Sequence, residues 1–198
     1  EQEAKVPYVD LGVSARDTLD ASLTVAVDTS AVNVNAVGSY TVTYSVSDTA
    51  GNTATATRTV QVVDKTKPEI TLAGAVVVEQ EAKVPYVDLG VSASDTLDAS
   101  LTVAVDTSAV NVNAVGSYTV TYTSTDTAGN TTIATRTVIV RDTTKPEITL
   151  AGAAVVEQEA KVPYVDLGVS ARDTLDASLT VAVDTSAVNV NAVGSYTV

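Results

Sequence analysis

The chain copies itself. The segment Glu-Gln-Glu-Ala-Lys-Val-Pro-Tyr-Val-Asp-Leu-Gly-Val-Ser-Ala begins at Glu1, Glu79 and Glu157, a period of 78 residues. Residues 157–198 are identical to residues 1–42, and the first two copies differ at only ten positions, among them Arg16/Ser94, Val46/Ser124, Thr55/Ile133 and Gln61/Ile139. So long and regular a period specifies a tandem array. A unit of this size can enclose its own core, so separate domains in series are expected rather than a solenoid.

Within each unit the clearest local signal is a β-hairpin, Gly116 to Val140. Tyr118, Val120 and Tyr122 share one parity and Thr119, Thr121 and Thr123 the other, the period of a half-buried strand. Asp126-Thr-Ala-Gly-Asn130 supplies turn residues, and the return strand, from about Thr132 to Val140, is rich in β-branched side chains. The same hairpin is predicted from Gly38 to Val62 and begins again at Gly194. Upstream, Asp64-Lys-Thr-Lys-Pro68 and Asp142-Thr-Thr-Lys-Pro146 read as proline-marked linkers. Strands are then predicted at Glu69–Leu72, Val76–Val78, Val87–Ser94 (broken by Gly90) and Leu101–Val105. A short one is predicted at Val110–Val112, with a polar connection over Glu79–Pro85. No segment has a helical period.

About seven strands with turns at this spacing predict an all-β chain of tandem immunoglobulin-like β-sandwich domains, end to end. The expected boundaries are 1–63 for a domain lacking its first strand, 64–141 for a complete one, and 142–198 for the N-terminal part of a third. The chain is expected to be a window on a longer repetitive polypeptide. Joining the ends of two molecules would not complete a domain, because the middle strands would then be present twice. Tyr118 is placed for a tyrosine corner, its hydroxyl bonding back upstream, or else as an ordinary core tyrosine. Arg136 shares the parity of Val138 and Val140; either a bulge turns it outward or, as favoured here, its stem lies over a tyrosine at the rim.

Composition removes several function classes. There is no Cys or His, so no disulfide framework or thiolate metal site, and the commonest general base is missing. A formal net charge of −13 opposes binding to nucleic acid or anionic membrane. No apolar run is long enough to span a bilayer as a helix.

The order Thr-Lys-Pro-Glu-Ile-Thr-Leu, then Tyr86-x-Asp88-x-Gly90, then Ser-Asp-Thr-Leu-Asp-Ala-Ser-Leu-Thr, then Gly116-x-Tyr-x-Val-x-Tyr122 with Asp126-x-Ala-Gly-Asn130 resembles bacterial immunoglobulin-like surface repeats. These occur in tandem in large adhesins and cell-wall proteins and beside some insecticidal crystal toxins. The resemblance covers every copy and implies the sandwich fold, a stalk-like role and no catalytic activity. Where family members often carry Asp-Gly-Asp, this chain has Asp98-Ala-Ser100.

Acidic residues are the only candidates for site chemistry. In an immunoglobulin-like sandwich the loop between the second and third strands, the last hairpin turn and the incoming linker share one pole. Asp64, Asp95, Asp98 and Asp126 should therefore converge at a domain junction, and Asp142, Asp173 and Asp176 at the next; Asp17, Asp20 and Asp48 mark the preceding one. Such carboxylates offer the oxygens Ca²⁺ takes, or they cap turns as Asp commonly does. No cofactor is required and Ca²⁺ is the one candidate. A Lys83–Asn111 or Lys83–Asn113 isopeptide bond is a further option, against a solvated lysine. Asn130-Thr-Thr132 matches a glycosylation sequon in one copy only.

The expected role is a stalk, spacer or fibre of an extracellular or bacterial cell-surface protein, not an enzyme. Its partners would be neighbouring repeats, with lateral copies if a fibre forms, and neither nucleic acid nor a membrane interior. The alternatives are an adhesive carbohydrate- or protein-binding module and a laterally assembled filament.

Overall fold

The computed structural model describes all residues, Glu1–Val198, and contains strands and turns with no helix. The strands are β1 (Gln2–Glu3), β2 (Ala26–Asp28), β3 (Gly38–Ser47), β4 (Thr53–Val63), β5 (Glu69–Leu72), β6 (Val77–Glu81), β7 (Val91–Ser94), β8 (Val103–Asp106), β9 (Gly116–Thr125), β10 (Thr131–Arg141), β11 (Glu147–Leu150) and β12 (Val169–Arg172). Four sheets result, ordered β1-β4-β3-β2, β6-β10-β9-β8, β5-β7 and β11-β12. By contact the chain divides into two units. One holds Glu1–Gly74, Leu89–Asp106 and Thr121–Thr135; the other holds Ala75–Asp88, Thr107–Val120 and Arg136–Val198.

The hairpins form where the alternation predicts. Along β9 the buried residues are Val120, Tyr122 and Ser124; along β10 they are Arg136, Val138 and Val140, with the threonine face turned outward. Each buried valine contributes roughly 1.5–3 kcal/mol by leaving water. In the first copy Val42, Tyr44, Val60, Val62 and Ala4 form the equivalent core. β1 and β6 lie parallel to the hairpins' return strands at the sheet edge, with Gln2 opposite Val62 and Val77 opposite Thr137.

Other predicted strands shift or vanish. β6 runs on to Glu81, into the stretch expected to be a polar connection, because β10 offers it a continuous ladder. Tyr86 to Gly90 is not strand. Gly90 has φ +99°, outside the extended region, and pairing resumes only at Val91. Val110–Val112 lies among turns, closed by Val110 N–H to Thr107 C=O (3.0 Å) and Ala114 N–H to Asn111 C=O (3.4 Å). Gly194–Val198 forms no strand.

The tyrosine corner is present three times. The hydroxyls of Tyr40, Tyr118 and Tyr196 donate to the carbonyls of Ala36, Ala114 and Ala192 at 2.9, 2.9 and 3.0 Å. Tyr118 folds back over Gly116, where a Cβ would sit 3.4 Å from the hydroxyl oxygen.

Arg136 corrects the expectation of a rim position: its side chain is 0% exposed. Nη1 donates to Asp88 Oδ2 at 2.8 Å and Nε to the Ala75 carbonyl at 3.1 Å. Tyr86 also donates to Asp88 Oδ2, at 3.0 Å. In the first copy Asp10 Oδ2 accepts from Tyr8 (3.0 Å), Tyr44 (2.6 Å) and Arg58 Nη1 (2.8 Å). Arg58 lies 5.3 Å from the Tyr44 ring centroid and is 32% exposed, so this copy does keep its guanidinium over a tyrosine at the rim. Burial and then the bond to Asp10 push the Tyr44 hydroxyl up to about 12 from its ordinary 10.0. The Ala75–Val76 segment caps Arg136, and Val76 C=O accepts from Thr137 N–H at 2.9 Å.

Candidate cation site at the repeat junction

The linker after β4 is held down rather than free. Glu3 Oε1 accepts the amides of Lys65 (2.9 Å) and Thr66 (3.2 Å) and the Thr66 hydroxyl (3.0 Å). Asp64 Oδ1 accepts the Thr66 amide at 3.1 Å, and the Asn130 amide group donates to the Asp64 carbonyl at 3.2 Å.

The loop after β7 is shaped by Asp95, whose Oδ1 accepts the amides of Leu97 (2.8 Å) and Asp98 (3.2 Å). This is the local turn that Asp favours. Leu97, at its tip, packs against the first copy's core. That apolar anchor brings the loop to the linker. The matching Leu19 of the first copy is 93% exposed. Asp98 ties the loop to the hairpin turn by accepting the Thr127 amide (3.1 Å) and hydroxyl (2.9 Å).

One carboxylate oxygen from each of Asp64, Asp95 and Asp98 lies within 4.8 Å of the others. Asp64 is only 7% exposed, and its Oδ2 and that of Asp95 are buried with no hydrogen-bond partner. Burial, joined by the charges of Asp95, Asp126 and Glu3, pushes the Asp64 carboxyl above the usual range. Orphaned anionic oxygens at such a place are costly unless a proton or a cation is shared between them. The donor set is carboxylate oxygen alone, which suits a hard divalent cation and not a transition metal.

Asp126, expected in the same cluster, stands outside it. Its two oxygens accept from Asn130, N–H at 2.7 Å and side-chain amide at 2.8 Å. Burial opposes its ionisation, but Asn130 and the turn amides outweigh burial and lower its pKa.

Asp142, Asp173 and Asp176 form a second group of the same spacing, the first two half-buried and Asp176 exposed. Asp173 Oδ1 accepts Leu175 N–H (2.8 Å) and Asp176 N–H (3.3 Å), repeating the Asp95 turn. Asp17, Asp20 and Asp48 make no such group. Asp17 caps Leu19 N–H at 2.8 Å, Asp20 binds the Thr49 hydroxyl at 2.8 Å, and Asp48 binds Asn52 N–H at 2.7 Å. Lys83 Nζ lies 3.2 Å from Asn113 Oδ1, a hydrogen bond between exposed groups.

Sequence reasoning missed the glutamates. Glu81 clamps the second linker as Glu3 does the first, accepting Thr143 N–H (3.0 Å) and hydroxyl (2.6 Å) and Thr144 N–H (3.2 Å) and hydroxyl (2.9 Å). These bonds, the Thr143 hydroxyl foremost, lower the Glu81 pKa to about 2 from the ordinary 4.5. A depressed carboxylate contributes stability that is complete above its unfolded pKa and is lost as pH falls through the folded one. Glu81→Ala should therefore lower the melting temperature at pH 7, and the gap to the parent should close between pH 4.5 and about 2. A gap that persists unchanged at pH 2 would refute the clamp.

The family model for "Bacterial surface protein, Ig-like domain" matches residues 4–62 and 70–140. The chain belongs to the bacterial surface protein Ig-like domain family. An uncharacterized 81.3 kDa protein of Acholeplasma phage L2 is 27% identical over 198 residues, covering 93% of this chain. The chain spans 27% of that relative's length. Among solved structures, a Bacteroides thetaiotaomicron lipoprotein aligns at TM-score 0.32 and 26% identity, over 39% of each chain. A protocadherin gammaB7 EC3-6 cis-dimer structure aligns at TM-score 0.39 and 15% identity, over 78% of this chain and 49% of that one. In this bacterial surface Ig-like chain, the linker residue Asp64 falls between the two matched regions, while Asp95 and Asp98 fall inside the second. Membership makes the chain a surface-protein module of tandem immunoglobulin-like sandwiches.

Proposed function

We propose that these repeats are a spacer or stalk of an extracellular or cell-surface protein, each 78-residue unit one domain, with Ca²⁺ stiffening the junctions. The observation that carries this is the pair of buried, unpartnered oxygens on Asp64 and Asp95 beside a linker already tied down by Glu3. A spacer needs junctions that resist bending, and a cation shared by the linker and the next loop supplies that resistance. Asp64, Asp95 and Asp98 would hold one ion; Asp142, Asp173 and Asp176 would hold another. Tyr44 and Tyr122 are buried, which favours a spacer over a carbohydrate-binding module built on exposed aromatics.

The test is small-angle scattering on the chain and on versions carrying one and two further repeats, each in Ca²⁺ and in EGTA. In Ca²⁺ the maximum dimension should grow by roughly 35–45 Å per added repeat, the length of a domain built from eight-residue strands and end loops. In EGTA the increments should shrink. Increments far below a domain length in both conditions would overturn the spacer role; equal increments would overturn the calcium role alone.

A further inference from the structure

Leu97 sits between two of the three clustered carboxylates, Asp95 and Asp98, and its side chain packs against a core that belongs to the preceding repeat. That core is Ala4, Val42, Tyr44, Val60 and Val62. Val62 lies two residues before Asp64, the third carboxylate. The same two segments therefore carry both an apolar contact and the carboxylate cluster.

The loop holding Leu97 does not need that contact to keep its shape. In the first copy Asp17 Oδ1 accepts Leu19 N–H (2.8 Å) and Asp20 N–H (3.2 Å), and Asp20 Oδ2 accepts Thr49 N–H (3.1 Å). Asp95, Leu97, Asp98 and Thr127 repeat these bonds at the same 2.8, 3.2 and 3.1 Å. Yet Leu19 is 93% exposed. The turn presents its leucine away from its own repeat whether or not that leucine is covered. Seating Leu97 thus asks no reorganisation of the loop, and it delivers Asp95 and Asp98 to Asp64 as a preformed pair.

We propose that Leu97 is a positioning residue for the cation site: its seating on the preceding repeat and the binding of an ion by Asp64, Asp95 and Asp98 are one coupled equilibrium. This rests on the calcium reading above and adds what sets the affinity. With Leu97 unseated, Asp64 is parted from the other two carboxylates and the three-oxygen set is lost. By linkage, the ion favours the seated leucine by the same factor as the seated leucine favours the ion. An apolar wedge and a cation then lock the same junction together, neither reaching full strength without the other.

Calcium calorimetry on the whole chain tests the coupling, with Asp142→Asn present throughout to silence the second carboxylate group. Leu97→Ala should weaken calcium binding roughly threefold to tenfold, the fold-change equivalent to half of a leucine's burial. Leu97→Val should fall in between, and Leu97→Met, close in volume, should restore most of the affinity. Leu19→Ala makes the same change in the same turn on a side chain in water, so it should leave the affinity unaltered. Thermal unfolding in EGTA separates positioning from packing. A packing role alone would lower the melting temperature of Leu97→Ala while the dissociation constant of the folded chain stayed where it was, and that result overturns the coupling. Equal weakening by Leu19→Ala overturns it too. If the chain with leucine at both positions binds no calcium, the calcium reading itself falls and takes the coupling with it.

Discussion

Asp88→Ala is expected to destabilise the second copy by about 3–5 kcal/mol, the cost of breaking a buried ion pair from one side. The Arg136 guanidinium is wholly buried and its Nη1 depends on Asp88 at 2.8 Å, so water cannot replace the lost carboxylate. The equivalent Asp10→Ala should cost clearly less, because Arg58 is 32% exposed and water can solvate it. The sequences around the two sites are nearly identical, so the contrast isolates burial from composition. Hydrogen exchange read by mass spectrometry separates the copies, since β10 carries Ile133 and Ile139 where β4 carries Thr55 and Gln61. Protection in β9 and β10 should collapse in Asp88→Ala, while β3 and β4 lose less in Asp10→Ala. Removing the charge on both sides, Asp88→Ala with Arg136→Met, should recover part of the loss. Equal losses in the two single variants would show that the Ala75–Val76 cover adds nothing.

Asp64→Asn should melt above the parent without calcium and below it with calcium. In EGTA the variant should melt higher than the parent, because one of three crowded carboxylates has lost its charge and its amide can donate to the orphaned Asp95 oxygen. In Ca²⁺ the order should invert. A ligand bound only by the folded state stabilises by about 2.7 kcal/mol at a hundredfold excess over its dissociation constant, and the variant lacks the most buried of the ligands. Asp126→Asn serves as the contrast: its carboxylate already accepts two bonds from Asn130, so it should lose stability with and without calcium. Calorimetry across a calcium titration checks both. If Asp64→Asn and the parent respond alike to calcium, the three aspartates are not its site.

Much of the carboxylate cluster was legible beforehand. The repeat fixed which loops recur, and the sandwich topology gathers the linker and the loop after β7 at one pole. That placed Asp64, Asp95 and Asp98 together, and Asp142, Asp173 and Asp176 likewise. Asp126 was drawn into the same set because it lies on a turn at that pole. The structure gives its oxygens to Asn130, four residues on, a choice of hydrogen-bond partner that pole-level reasoning does not resolve. Glu3 and Glu81 escaped notice because each caps a linker 62–63 residues further along the chain.

By itself the sequence determined the tandem period, the all-β class and the two long hairpins with their inward and outward faces, and it left Tyr118 between a tyrosine corner and a core position, which the structure decided. The first three follow from rules of short range: strand parity alternates every residue, and turns need a few particular side chains. Tertiary structure alone decided which polar groups end up satisfied. It buried Arg136 against Asp88 and the Ala75 carbonyl, groups 48 and 61 residues away along the chain. It also left one oxygen each on Asp64 and Asp95 without a partner. Burial and pairing depend on segments brought in from tens of residues away, beyond the reach of strand parity and turn chemistry.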